Sequence, residues 1–322
     1  MITTYLKENN AIIKKEEYLI NESTLWIDLF NITNEEREAI KTSLNIDIPT
    51  LKDISQIEIS ERLYTENDAL YLTITELINR EKKFPETHSI VFILHKSYLI
   101  TVRYVELTSF NDCINKFAKQ LTYKYTAEHM LFMLLRNMVT GLSNVVQSVS
   151  MDIDDYGRLI LDNNLNDLRI DHKKILKKIG QKGDLLSKSR ECLFSLTMVI
   201  QYILKSPQIS QNKASKDLLD TLFRDVDSII NFSQFISSEI ARTLDAALGM
   251  IAIEQNNMVK LFSLVTIFFL PPTLIASIYG MNFTVMPELQ SPYGYPIALF
   301  LMVISIAVTI VPYNFCNGAL RV

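Results

Sequence analysis

Charge stops abruptly in this sequence. Beyond Lys260 only Glu288 and Arg321 carry formal charge, so residues 1–260 hold 31 of the 32 basic and 35 of the 36 acidic side chains. From Leu261 to Pro287 run 27 residues without a charge, beginning LFSLVTIFFLPPTLIASIY. In a helix, at ~1.5 Å per residue, that opening stretch reaches about 30 Å, the thickness of a bilayer's hydrocarbon core. A second run, IALFLMVISIAVTIVPY, covers the 17 residues from Ile297 to Tyr313, near the short limit for a span. Tyr279, Tyr293, Tyr295 and Tyr313 flank the two runs, as an interfacial aromatic belt does. Two charge-free runs of this length are uncommon in a soluble core. The last fifth of the chain is therefore expected to cross a membrane twice, and the rest to fold as a polar body.

The connecting loop, IYGMNFTVMPELQSPYGYP from Ile278 to Pro296, holds one carboxylate, Glu288, and no Lys or Arg. Lys260 precedes the first run and Arg321 follows the second, which favours a loop outside and both termini in the cytoplasm. Residues 1–20 carry charges throughout and lack an apolar h-region, so no signal peptide is expected there. Cys113, Cys192 and Cys316 have no paired spacing. Neither a zinc site nor a disulfide framework is implied, in keeping with a reducing compartment.

Residues 1–123 read as a mixed α/β domain. Strand-like stretches lie at 24–31, 69–77, 89–95 and 97–106, the last two forming a hairpin that turns near Lys96. Between them NEEREAIKTSLNI (34–46) opens a helix capped by Thr33 or Asn34, with glutamates in its first turn. From Thr126 the pattern becomes helical. Residues 126–161 and 164–205 place apolar side chains at spacings of three and four, the second stretch interrupted by Gly180 and Gly183, and SPQISQNKAS (206–215) reads as a turn. From about Ala214 to Tyr279 no proline occurs before Pro271, so one helix of ~66 residues, about 100 Å long, is expected. The chain reads as an α+β membrane protein in three parts. These are a cytosolic α/β domain (1–123), a cytosolic long-helix stalk (124–257) and a transmembrane domain (258–322). The last part has spans at about 258–279 and 296–314, an outer loop at 280–295 and a short cytosolic tail.

A helix that long needs neighbours along its length. Steps of four and three align Asp245, Gly249, Ala252, Asn256, Val259, Ser263, Thr266, Leu270, Thr273 and Ser277, while Phe262, Phe268 and Phe269 fall off the stripe. A two-stranded coiled-coil seam would be rich in Leu and Ile; this one is small or polar at most positions. Small residues also let helices pack closely in lipid. A water-filled path lined by the stripe accounts in addition for Asp245 and Asn256, which close packing does not require. Gly280 suits the left-handed position just past the end of this helix.

YGMNF, followed by MPEL and PYGYP between two apolar helices, resembles the CorA family of magnesium channels and transporters. Gly280-Met281-Asn282 stands where that family has its Gly-Met-Asn signature, and Met286-Pro287-Glu288-Leu289 where its outer loop has MPEL. The likeness is clear from Asp245 to Tyr313, and residues 53–74 also look like the family's cytosolic domain. The resemblance implies a funnel-shaped homopentamer in a bacterial or archaeal inner membrane, with five copies of the first span around a pore. It implies passive, potential-driven Mg2+ influx through a ring of Asn282 amides. Asp245, Asn256 and Thr273 match pore-facing family positions, Val259 and Leu270 match apolar constrictions, and Ser277 lies on the same stripe. Glu288 would raise the cation concentration at the mouth. Regulatory Mg2+ between cytosolic domains is implied as well, with Asp225 in FRDVD (223–227) as one carboxylate, although its distance to Asp245 is about a turn shorter than the family's. Two departures stand out: the tail YNFCNGALRV has a single basic residue, Arg321, and Pro272 follows Pro271.

The partners expected are copies of the same chain, divalent cations and the bilayer, not nucleic acid or nucleotide, since no Walker lysine motif occurs. The four histidines are scattered, and GxSxG, HExxH and glycine-rich dinucleotide loops are missing, so an enzyme is not expected. Two other readings stay open: the same scaffold carrying Co2+, Ni2+ or Zn2+, and a membrane-anchored structural or sensory oligomer whose stripe only packs.

Overall fold

The computed structural model of the protein describes all residues except 9–10, 17–19, 22, 57–61, 81–83, 96, 118–125, 162–170, 211, 283–285, 288–290 and 320–322. Two compact units emerge, Met1–Ala247 and Leu248–Val322.

The first unit is built on a seven-stranded sheet in the order β2-β1-β3-β7-β6-β5-β4. Its strands are β1 (Ile2–Glu8), β2 (Ala11–Lys15), β3 (Thr24–Phe30), β4 (Leu63–Glu66), β5 (Ala69–Ile78), β6 (Glu86–Leu94) and β7 (Leu99–Arg103). All neighbours are antiparallel except β3 with β7. The expected hairpin is present as β6–β7, with Leu94 opposite Leu99; its turn at Lys96 lies outside the described residues. The β4–β5 hairpin turns on two residues only. Asn67 and Asp68 both take positive φ, 50° and 61°, which matches the right-handed twist of the flanking strands.

Helix α1 (Asn34–Leu44) begins in a capping box. The Thr33 hydroxyl accepts from the Glu36 N–H at 3.2 Å, and the Glu36 carboxylate accepts from the Thr33 N–H at 2.9 Å. Asn45, left-handed at φ 55°, closes it. Each sheet face carries its own core. On one, Ile27, Leu29, Tyr71, Ile93 and Ile100 pack with Ile40 of α1 and Ile54 of α2 (Leu51–Gln56). On the other, Trp26 and Phe92 meet Phe110 of α3 (Thr108–Phe117), with ring centroids 5.7 and 6.0 Å apart.

The helical hairpin of α4 (Ala127–Leu161) and α5 (His172–Lys205) packs on this unit as well, and the Thr75 N–H donates to Ser195 Oγ of α5 at 3.0 Å. Contrary to expectation, Gly180 and Gly183 do not interrupt α5, which is helical throughout. Gly183 lies beside the next long helix, where a Cβ would make an ordinary contact, 3.9 Å from the Ile240 side chain. After the short α6 (Pro207–Ser210), α7 runs from Lys213 to Tyr279, 67 residues, as the sequence predicts. Up to Ala247 it buries Ser215, Leu219, Leu222, Val226, Ser233, Ile236, Thr243 and Ala247, an a/d pattern of period seven.

The second unit holds the rest of α7 and α8 (Gly294–Ala319). Among the described residues α7 is the one helix long and apolar enough to cross a membrane by length and composition; Gly294–Thr309 is a shorter apolar segment.

Candidate functional site

The stripe read from the sequence lies open on α7. Asp245, at the end of the first unit, is exposed, and so are Gly249, Ala252, Asn256, Val259, Ser263, Thr266, Leu270, Thr273 and Ser277 in the second. Within that second unit the covered side of the helix is different: Leu264, Phe268, Pro271, Pro272, Ile275 and Tyr279 are half-buried. At about 100° per residue those positions fall opposite the stripe. On α8, Ala298 is buried and Met302, Ser305, Ile306 and Thr309 are half-buried, again at helical spacing. The stripe is thus left uncovered by this chain, as are bulky residues beside it such as Phe262, Phe269 and Leu274.

Hydrogen bonding decides what the open face can offer. Thr266 donates its hydroxyl proton to the Phe262 carbonyl at 2.9 Å, and Thr273 donates to the Phe269 carbonyl at 2.6 Å. Each hydroxyl has used its only proton inside the helix, so its lone pairs point away from it. Val265, Thr266, Phe269, Leu270, Thr273, Leu274 and Ser277 together line a shallow groove along the helix. The groove is mostly apolar, with the Thr266 and Thr273 hydroxyl oxygens as acceptors along it.

The helix ends where Gly280 donates to the Ala276 carbonyl at 2.9 Å and Met281 to the Ile278 carbonyl at 3.3 Å. The left-handed cap expected at Gly280 does not form, since no described glycine has positive φ. Glycine is favoured there by a close approach instead: a Cβ would come within 3.2 Å of the Ala276 carbonyl oxygen. Met281 and Asn282 follow, both exposed, with the Asn282 amide unburied at the end of α7. Glu288 lies outside the described residues.

Asp225 is exposed on α7 and lines a groove with Glu128, His129 and Arg136 at the start of α4. Glu128 accepts from Ser215 at 3.3 Å, and burial holds His129 below the ordinary histidine range. Among the described residues no three His, Cys, Asp or Glu side chains come together to hold a metal ion. Near the end of α4 three acidic residues stand close in sequence, Asp152, Asp154 and Asp155, and the first pairs with Lys182 at 2.6 Å.

Two buried ionic pairs escape sequence reasoning. Asp28, 4% exposed, receives Arg103 at 2.8–3.1 Å and Thr101 at 2.8 Å, and Thr101 in turn accepts from the Trp26 indole at 2.9 Å. Glu76 on β5, 2% exposed, pairs with Arg80 at 3.6 Å. The available signal was a carboxylate inside an otherwise apolar strand, in TLWIDLF and ALYLTITELI.

Known proteins share this architecture. The fold matches the complete structure of the CorA magnesium transporter from Methanocaldococcus jannaschii with a TM-score of 0.74 at 17% identity, covering 98% of this chain and 97% of that one. The magnesium transport protein CorA of Pasteurella multocida is 29% identical over 307 residues, 95% of this chain and 96% of its own length. That of Escherichia coli is 26% identical over 311 residues, again 95% and 96%. A sequence profile of CorA-like Mg2+ transporter proteins matches residues 21–315, and the chain therefore belongs to that family.

Proposed function

We propose that this protein is a magnesium channel in which several copies of α7 surround a common path and Asn282 forms its outer ring. Membership of the CorA-like Mg2+ transporter family supports the coarse activity, membrane transport of Mg2+ as substrate. The observation that carries the finer reading is the open stripe on α7, with the Thr266 and Thr273 hydroxyls exposed along it and the exposed Asn282 just beyond the helix end. In lipid such a face needs a partner of its own kind or water.

Selection would act on the hydrated ion. Mg2+ surrenders its inner-shell water reluctantly, so neutral amide oxygens that accept hydrogen bonds from that water bind it without trapping it. Asn256, Thr273 and Ser277 would continue this lining inward, Val259 and Leu270 would form apolar constrictions that close by dewetting, and Asp245 would attract cations at the inner end. Glu288 would do the same outside. The driving force is the membrane potential: two charges crossing 100 mV release roughly 4.6 kcal/mol, enough for a gradient of over a thousandfold. This places residues 258–279 and 296–314 in the membrane and 1–257 in the cytoplasm, as a cytosolic α/β domain followed by a stalk. A homopentamer follows the family resemblance. Closing on cytosolic Mg2+ belongs to the same reading. Asp225 would supply one carboxylate and a neighbouring copy the others, since a single chain assembles no set of three among its described residues.

The test is Mg2+ entry into proteoliposomes. Wild type should admit Mg2+, and Asn282→Ala should lose at least tenfold in initial rate. Equal flux through both proteins would discard the amide ring. A silent wild type that passes Co2+, Ni2+ or Zn2+ would change the ion, and one silent to all four would leave a structural oligomer.

A further inference from the structure

A buried acid in the cytosolic sheet is unrelated to the ion path. Glu76 projects from β5 into the layer between the sheet and the helices, 2% exposed, and its Oε2 has no hydrogen-bond partner of normal geometry. Arg80, two residues past the end of the same strand, approaches one carboxylate oxygen at 3.6 Å and is itself only a quarter exposed. The guanidinium also donates to the Leu77 carbonyl at 3.4 Å and, across the interface, to the Gly141 carbonyl of α4 at 3.5 Å.

Gly141 is what lets it lie there. A Cβ at 141 would sit 3.0 Å from Arg80 Nη1 and 3.1 Å from Nη2, so a side chain there would crowd the guanidinium and push it a few tenths of an ångström. Glycine in mid-helix costs about 1 kcal/mol relative to alanine, and here it opens a seat for a charge. The other groups facing Glu76 are His88, its cross-strand partner on β6, which lies 3.7 Å from Glu86, Arg103 from β7, the Ser109 hydroxyl from α3 and the Cys192 thiol from α5, the last held up to about 12 by its burial. Burial is also the main influence on Glu76. It pushes the carboxyl up to about 7, against the smaller opposing effects of Ser109, Arg80 and Arg103.

We infer that Glu76 is a proton-binding site that sets whether Arg80 clamps α4 to the sheet. With Glu76 ionised, the guanidinium is held between the carboxylate and the Gly141 carbonyl, bridging β5 and α4. With Glu76 protonated, Arg80 loses its counter-charge, and its solvent-facing portion gives it a way out to water. The clamp is then weakened on acidification and restored on alkalinisation. Arg80 and Arg103 stay cationic and the Cys192 thiol stays neutral; the imidazole of His88, opposite Glu76 on β6, is separated by a His88→Gln variant, in which the pH response should persist.

Amide hydrogen exchange on the full-length protein in nanodiscs, at pH 6 and pH 8 and corrected for intrinsic exchange rates, tests this. In wild type the α4 peptide containing Gly141 should exchange at least threefold faster at pH 6 than at pH 8. In Glu76→Gln it should exchange at the fast rate at both. Arg80→Gln should behave like Glu76→Gln and serves if that variant does not fold. A wild-type peptide indifferent to pH, or a pH response that survives Glu76→Gln, would overturn the assignment.

Discussion

Arg103 shows how one side chain settles several problems at once. It forks onto buried Asp28, donates to the Val105 carbonyl at 3.1 Å, and lays its guanidinium over the Phe30 ring, 4.6 Å from the centroid. A carboxylate inside a sheet is tolerable only while so paired. Replacing Arg103 by Met should lower the stability of the first unit by about 3–5 kcal/mol, the cost of stranding a buried charge, seen as a fall in thermal midpoint of the detergent-solubilised protein. Glu76 predicts a pH dependence. Its carboxyl is raised from 4.5 to about 7 on folding, so folding favours the protonated form. Its stabilising contribution is complete below about 4.5 and lost as pH rises to about 7, a change on the order of 3 kcal/mol. The thermal midpoint should therefore drop between pH 5 and pH 8 in wild type. In Glu76→Gln that part of the slope should vanish; an unchanged slope would mean the carboxyl titrates normally.

At the scale of elements, what was legible followed from periodicity. The length of α7 could be read to within a residue because nothing in 213–270 breaks a helix. Strands β3, β5, β6 and β7 were legible as apolar β-branched runs, whereas β1, β2, β4, α2 and α3 were not. β1 and β2 end in charged residues, Lys7-Glu8 and Lys14-Lys15, and β4 is an exposed strand at the sheet's edge that acquires its shape by pairing with β5. The buried stripe on α7 also escaped, since Ser233, Thr243 and Ala247 look no different from exposed positions until packing covers them. Ile236 lies on that buried stripe, so Ile236→Ala should cost about 2–4 kcal/mol while an exposed change at Gln234 should cost almost nothing, comparable by melting. Asp68 occupies a position at φ 61° that glycine takes freely. Asp68→Gly should leave the β4–β5 turn intact and raise stability by about 0.5 kcal/mol, whereas Asp68→Val should lower it.

For the molecule as a whole the proposed mechanism has an electrical signature. If Mg2+ moves passively as a divalent ion, its equilibrium accumulation in proteoliposomes should change about tenfold for every 30 mV of imposed potential. A tenfold change per 60 mV would indicate one net charge per event, and indifference to potential would rule out conduction of the bare charge. If the exposed stripe on α7 lines a path shared by several copies, as proposed, cysteines introduced at Ser263 or Ser277 should crosslink copies of the chain to one another. Monomeric product only would leave the stripe facing lipid.

By itself the sequence determined that the chain ends in apolar runs, that a helix of nearly seventy residues leads into them, and that Gly280-Met281-Asn282 follows that helix. Those features depend on composition and spacing along the chain, which local physics reads directly: no charge enters hydrocarbon without cost, and no proline stops the helix before Pro271. Only the tertiary structure decided which face of α7 is covered, that Gly280 serves a close backbone approach rather than a left-handed turn, and that Asp28 and Glu76 sit beside arginines in a dry layer. Burial and charge pairing join residues far apart in the chain, Asp28 with Arg103 and Glu76 with the α4 backbone through Arg80, and a linear sequence holds no term for that distance.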